Sequence, residues 1–207
     1  MNKDRWEALM LTMGLEPSID SFNALYAAYS EKNRFYHTVR HISAMLSHLD
    51  NVTELADRPA ELELAIWFHD AIYKALSKSN ELDSAIWSQE FLVSKGYDEA
   101  GVSRVYNLIM ATLHDREVKE NDEKLIVDID LTILGAPDEI YDEFERNVRQ
   151  EYKMVPAFIY RKKRKEVLKS FLNSDSIYYS DFFKNKYERA ARKNIARVIK
   201  VLWYPLP

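Results

Sequence analysis

The sequence contains no cysteine. That absence excludes disulfide frameworks, thiolate zinc sites and cysteine nucleophiles together, and it fits a reducing compartment. Any metal bound by this chain must therefore be held by histidine and carboxylate. No run approaches the roughly eighteen apolar residues that a membrane span needs. The opening Met1-Asn2-Lys3-Asp4-Arg5-Trp6 lacks the basic-then-apolar pattern of a secretory leader. The expectation is a soluble cytoplasmic protein with no membrane partner. Positive charge is not in excess either: 29 Lys and Arg face 33 Asp and Glu, for a net charge of -4. Polynucleotide backbones are bound largely through clustered cations, so no nucleic-acid polymer is expected, whereas a small phosphorylated molecule needs only a local basic patch.

Helix breakers are also scarce, with four glycines and six prolines in 207 residues. Apolar residues recur at three- and four-residue spacing almost throughout, which is the helical period, and no segment reads as a strand. The fold expected is a single all-α domain over 1–207, a bundle of about eight to ten helices, long enough to bury a full core without a metal. Residues 138–207 form its helical C-terminal part. Trp6, Leu9, Met10 and Met13 mark a helix stopped by Gly14, and Phe22, Leu25, Tyr26 and Tyr29 mark a second. A third runs from about Thr38 to Leu49, and a fourth starts at Pro59 and carries Leu62, Ile66, His69 and Tyr73. Asn80 caps the next, which ends near Gly96, and Val102 to Leu113 follows it. A polar loop over Asp115 to Glu123 precedes a helix over Lys124 to Leu134. Three more patterns cover Ile140 to Tyr152, Pro156 to Leu172, and a long helix from Ser180 or Asp181 through Ile199.

Three segments set polar groups against this apolar background. His37 and His41, in Tyr36-His37-Thr38-Val39-Arg40-His41-Ile42, are four residues apart, which on a helix brings two imidazoles to one face. In Ala65-Ile66-Trp67-Phe68-His69-Asp70-Ala71-Ile72-Tyr73, Asp70 sits in an apolar run. A carboxylate there requires a cation, a set of strong donors, or a route to water. Asp128 and Asp130 interrupt a third apolar stretch, although aspartate is a poor residue for a helix interior. Either they serve a site, or Asp128 faces solvent and Asp130 pairs with an arginine such as Arg146 or Arg149. Asp128 and Asp130 lie about 200° apart on a regular helix, so only one can point into a given site.

The order of His41, then His69-Asp70, then an aspartate some sixty residues on resembles the HD superfamily of metal-dependent phosphohydrolases. The segment from Tyr36 to Ile42 is similar to the Tyr-His-Asn-x-x-His element of the cyclic nucleotide phosphodiesterases within that superfamily. Thr38 stands here in place of the Asn, and the extra histidine of dinuclear members has no obvious counterpart. The whole chain further resembles a bacterial group of uncharacterised predicted HD hydrolases. That likeness runs through the same two segments, Asn80-Glu81-x-x-Ser84-Ala85, Ala111 to Asp115, Asp128 to Gly135, and Arg149-x-Glu151-Tyr152.

The resemblance implies His41, His69, Asp70 and Asp130 as metal ligands; Asp130 is preferred to Asp128 because the second Asp coordinates in similar Asp-x-Asp stretches. It assigns His37 to proton donation, and with Asp70 it forms the catalytic pair. Two imidazoles and two carboxylates with open positions suit a divalent Mn, Fe, Co, Ni, Zn or Mg ion. Arg40, Glu81, His114, Arg149 and Arg161 are candidate substrate contacts. The last belongs to the one dense basic run, Arg161 to Lys165; most such runs are solvated surface, and some bind phosphate. The expected function is hydrolysis of a small phosphate monoester or diester, such as a nucleotide. The alternative is a non-catalytic metal- and nucleotide-binding sensor on the same fold. A sensor has no need for His37 beside His41.

Overall fold

With so few breakers, the apolar periodicity folds as it reads. A computed structural model of the chain describes residues 1–114 and 118–202, and among these residues every regular element is helical, with ten α-helices and no strand. The chain divides into two compact units, Met1–Ile129 and Asp130–Pro207.

The N-terminal unit holds α1 (Lys3–Thr12), α2 (Ile19–Tyr29), α3 (Val39–Asp50), α4 (Pro59–Phe68), α5 (Asn80–Ser94), α6 (Glu99–Ala111) and α7 (Asn121–Asp130), whose last residue is the boundary. Asn2, Ser18, Thr38 and Asp98 cap α1, α2, α3 and α6 by accepting from backbone N–H groups of the first turn. Apart from Glu61 and Glu63, which pair with Arg104 and Arg5, the body of helix α4 is apolar, and Leu62, Leu64, Ala65, Ile66, Trp67 and Phe68 are all buried. It packs against α1, α3, α5 and α6. Trp6 of α1 meets Trp67 edge-on at 5.3 Å between ring centroids. Each such side chain contributes about 1.5–3 kcal/mol on burial, so α4 is the element the unit is built around.

Two buried carboxylates fix the ends of this core. Glu61 is 4 % exposed, and Arg104 donates to both its oxygens at 2.7 Å while the Tyr97 hydroxyl donates at 3.1 Å. Burial first, and the Glu61 charge next, push Tyr97 up to about 12. Asp122 of α7 accepts from the backbone N–H groups of Asp57 and Arg58 at 2.8 and 2.9 Å. It thereby holds the two residues that lead into α4, whose N-cap, Arg58, makes no side-chain capping bond. The register of α7, and with it Asp130, is thus tied to α4.

Four boundaries differ from the sequence expectation. His37 precedes the cap of α3 and is not on the helix. Helix α4 ends at Phe68 rather than running on to Tyr73. Asn80 lies inside α5 and does not cap it. Helix α7 starts at Asn121, within the expected loop, and gives way to a 3-10 turn over Leu131–Gly135. Residues 115–117 of that expected loop, Asp115 included, lie outside the described residues.

The C-terminal unit holds the 3-10 turn, α8 (Asp138–Glu151), α9 (Ala157–Asn173) and α10 (Asp181–Val201). Asn194 of α10 donates to the carbonyls of Leu134 and Ala136 at 2.9 and 2.8 Å, and the Tyr178 hydroxyl donates to that of Leu131 at 2.9 Å. Gly135 is required here, because a Cβ would come within 2.7 Å of the Tyr187 side chain. Arg164 of α9 is held against Glu145 of α8 by paired hydrogen bonds at 3.0 and 2.7 Å, which turns that face of α9 inward.

Candidate metal centre

The termination of α4 builds the site. No glycine or proline stops the helix after Phe68; tertiary partners take the ladder apart instead. His69 Nδ1 lies 3.0 Å from the Ile66 carbonyl, the acceptor the Asp70 N–H would otherwise use. The Asp70 N–H donates to the Tyr29 hydroxyl at 3.2 Å, and that hydroxyl donates to the Trp67 carbonyl at 3.1 Å. Arg34 then reaches the open carbonyls at the end of the helix. Its Nη1 donates to the Asp70 carbonyl at 2.6 Å and its Nη2 to the Ala71 carbonyl at 2.8 Å, with a longer bond from Nη1 to the His37 carbonyl at 3.3 Å. A cation at a helix C-terminus is the favourable arrangement for the dipole. The guanidinium lies over the rings of Tyr29 and Tyr73 at 5.2 and 5.6 Å.

This geometry aims the His69 ring. Its Nε2 lies 3.2 Å from His41 Nε2 of α3 and 3.0 Å from Asp70 Oδ2; His41 Nε2 is 3.5 Å from the same oxygen. Both histidines are buried. Asp130, at the end of α7, completes a group with His41 and His69 in which one ligand atom from each lies within 4.8 Å of the others. Asp128 is 0 % exposed and stands outside that group, so it neither faces solvent nor shares the cluster.

The donor set fits a metal on its own chemistry. The Ile66 carbonyl on one side of His69 and the Asp70 carboxylate on the other can only accept hydrogen bonds when the acid is ionised. An imidazole between two acceptors must be protonated, or must hold Nδ1–H against the carbonyl and direct the Nε2 lone pair at a cation. The second arrangement is the usual orientation of a metal-binding histidine. This buried group of His41, His69 and Asp130 can hold a metal ion, with Asp70 beside it. Burial by itself would push the Asp70 carboxyl up; the charges of His69 and His37 and hydrogen bonds from His41 and His69 outweigh it and hold the group well below the usual carboxylate range.

Around the cluster, the segment after Asp70 is pinned by side chains of α5. The Ser84 hydroxyl accepts from Ile72 N–H at 3.0 Å, while Asn80 accepts from Lys74 N–H at 3.0 Å and donates to the Lys74 carbonyl at 3.1 Å. These bonds place Glu81 within electrostatic reach of Asp70, His69 and His114. Burial, then the Asp70 charge, push Glu81 above its ordinary value despite a backbone hydrogen bond and the two histidines. His114 takes a left-handed backbone, φ 55°, which costs a non-glycine residue about 1 kcal/mol or more. His37 stacks on Tyr73 with centroids 4.1 Å apart and lies 6.0 Å from the His41 ring.

Arg40 is exposed on the first turn of α3. Arg149 donates to the carbonyls of Tyr152 and Val155 at 2.6 and 3.1 Å and lies over the Tyr160 ring at 4.7 Å, so it braces the turn between α8 and α9. Arg161 lines a groove along α9. Tyr29 and Arg34 escape a sequence reading: Tyr29 scans as one more apolar position of α2, and Arg34 sits in a polar turn with no periodic signal. Comparison of the chain with protein-family models, curated proteins and solved structures finds no match in any of the three.

Proposed function

We propose that this protein is a metal-dependent phosphohydrolase of the HD type acting on a small phosphate monoester or diester, with nucleotides the first class to try. The observation that carries the reading is His69 held between two acceptors, with His41 and the Asp70 carboxylate at its Nε2 and Asp130 grouped with the two histidines. The resemblance of the ligand order to the HD superfamily supports the same reading. His41, His69 and Asp130 would hold the ion, with Asp70 as the remaining ligand. When bound, a divalent cation there supplies Lewis acidity toward a phosphoryl oxygen and toward water.

The residues of the chain divide the remaining work. His37, stacked on Tyr73 and outside the ligand group, donates a proton to the leaving oxygen. Glu81, raised by burial and by Asp70, holds a proton more readily than an ordinary carboxylate and lies within electrostatic reach of Asp70. Arg34 and Tyr29 fix the backbone that presents His69 and Asp70. Metal-loaded protein assayed against a panel of nucleotides and phosphate esters tests the reading. Turnover that disappears in His37→Ala is the expected result. Tight nucleotide binding with no turnover of any ester would favour a sensor and contradict the enzyme.

A further inference from the structure

Tyr73 reads in the sequence as one more apolar position of α4, and the end of that helix at Phe68 gives it a different place. Its buried ring lies flat against the His37 imidazole, with centroids 4.1 Å apart and planes 26° apart. His37 is half-buried and stands outside α3, at the centre of a three-residue turn in which the Thr38 N–H donates to the Tyr36 carbonyl at 2.7 Å. Such a turn fixes the backbone and leaves the torsions of the side chain to its surroundings. The face of Tyr73 sets the plane of the imidazole, and the Tyr36 ring meets it edge-on at 4.9 Å. Two buried side chains of α5 hold Tyr73 in turn. The Ser84 hydroxyl accepts from Ile72 N–H at 3.0 Å, and Asn80 engages both backbone groups of Lys74 at 3.0 and 3.1 Å. The residues immediately before and after Tyr73 are therefore fastened to one helix. Arg34 joins the two sides of the stack, lying over the Tyr73 ring at 5.6 Å and donating to the His37 carbonyl at 3.3 Å.

We propose that Tyr73 is the positioning residue of the proton donor: clamped by Ser84 and Asn80, its ring holds the His37 imidazole in the plane from which it reaches the leaving oxygen. The inference rests on the reading of His37 as the general acid. Proton transfer needs the donor within about 3 Å of the oxygen it protonates, and a misplacement of about 1 Å can cost about a hundredfold in rate. A flat aromatic face restricts rotation of the imidazole without using either ring nitrogen, whereas a hydrogen bond would occupy one. In this role the whole effect of Tyr73 on the reaction passes through His37.

Two measurements test the proposal: rates of metal-loaded protein on an alkyl phosphate ester and on a p-nitrophenyl ester, and the His37 ring-proton resonances of metal-free protein, assigned by their loss in His37→Ala. Tyr73→Leu should lower kcat for the alkyl ester by about ten- to a hundredfold, leave KM unchanged, and slow the p-nitrophenyl ester by no more than about threefold, because its leaving group needs little protonation. Tyr73→Phe keeps the flat face and should stay within about threefold of wild type on both. Added to His37→Ala, Tyr73→Leu should cause no further loss, which a merely structural role would not produce. The His37 resonances should move in Tyr73→Leu, as the ring current of the tyrosine is removed, and stay close to wild type in Tyr73→Phe. Should Tyr73→Leu fail to fold by circular dichroism, Tyr73→Met takes its place with the same expectations. Equal loss on both esters, Tyr73→Phe as slow as Tyr73→Leu, a further loss on top of His37→Ala, or unmoved His37 resonances would each overturn the proposal while leaving His37 as the acid. Full activity of His37→Ala on the alkyl ester, or no turnover of any phosphate ester by wild type, would overturn the reading of His37 and this inference with it.

Discussion

Replacing Arg34 by methionine keeps an unbranched apolar stem and removes the guanidinium. The side chain is 1 % exposed, so its bonds to the Asp70 and Ala71 carbonyls, at 2.6 and 2.8 Å, are made out of water. Hydrogen bonds from an ionised donor contribute about 1.5–3 kcal/mol each, and the abandoned carbonyls stay buried. The two together give about 3–6 kcal/mol, and loss of the contacts with the Tyr29 and Tyr73 rings adds about 1 kcal/mol. The Glu31 partner is half-exposed and is left out of the sum. Against a typical domain stability of about 5–15 kcal/mol, this is a large fraction. Urea unfolding should show a lower midpoint at unchanged slope, with Arg34→Lys recovering part of the loss because an ammonium can reach only one carbonyl well. The same substitution should weaken metal affinity by about ten- to a hundredfold, as for other partners that orient a ligand. A double-mutant cycle with Tyr29→Phe should show coupling of about 0.5–3 kcal/mol, since both side chains hold one turn. An Arg34→Met protein within about 1 kcal/mol of wild type, with undiminished metal affinity, would refute this account of the turn.

Three further outcomes follow. Asp130→Asn should lose metal affinity, while Asp128→Asn, at a buried position outside the cluster, should lose thermal stability and keep the ion; calorimetric titration with Mn or Co on both variants reverses the assignment if the losses are exchanged. His37→Ala should retain the metal and lose about a hundred- to ten-thousandfold in rate, least with p-nitrophenyl esters, whose leaving group needs little protonation; loss of the metal would make His37 a ligand. In metal-free protein the depressed Asp70 carboxyl contributes stability that is full above its unfolded value of about 3.9 and fades as pH falls toward the lower folded value. Asp70→Asn should therefore flatten the acid limb of the stability curve, and an unchanged limb would contradict the charge arrangement found around His69.

The helical class and most helix positions were legible because apolar spacing records the face a helix buries, as in α1, α2, α8 and α10. The missed boundaries share a cause. Helix α4 reads as continuous through Tyr73 because its residues are good helical positions locally; it stops because Tyr29 and Arg34, distant in sequence, satisfy the backbone groups its last turn leaves open. His37 and His41 are drawn together by the turn before α3 rather than by helical spacing. Polar residues set against apolar runs foreshadow the cluster of His41, His69 and Asp130, a signal of chemistry, whereas Arg161 stands out in the sequence by charge and Arg149 by charge and by its place in the Arg149-x-Glu151-Tyr152 segment. Charge does not encode direction, and the structure turns Arg149 onto local carbonyls and Arg161 into the α9 groove.

The central claim is that His41, His69, Asp70 and Asp130 form one divalent metal site, and elemental analysis of protein purified without chelator tests it most directly. Wild type should carry close to one transition metal per chain, and His69→Ala should carry almost none while its helical circular dichroism persists. Equal metal content in the two proteins, or none in wild type after reconstitution with each candidate ion, would contradict the claim.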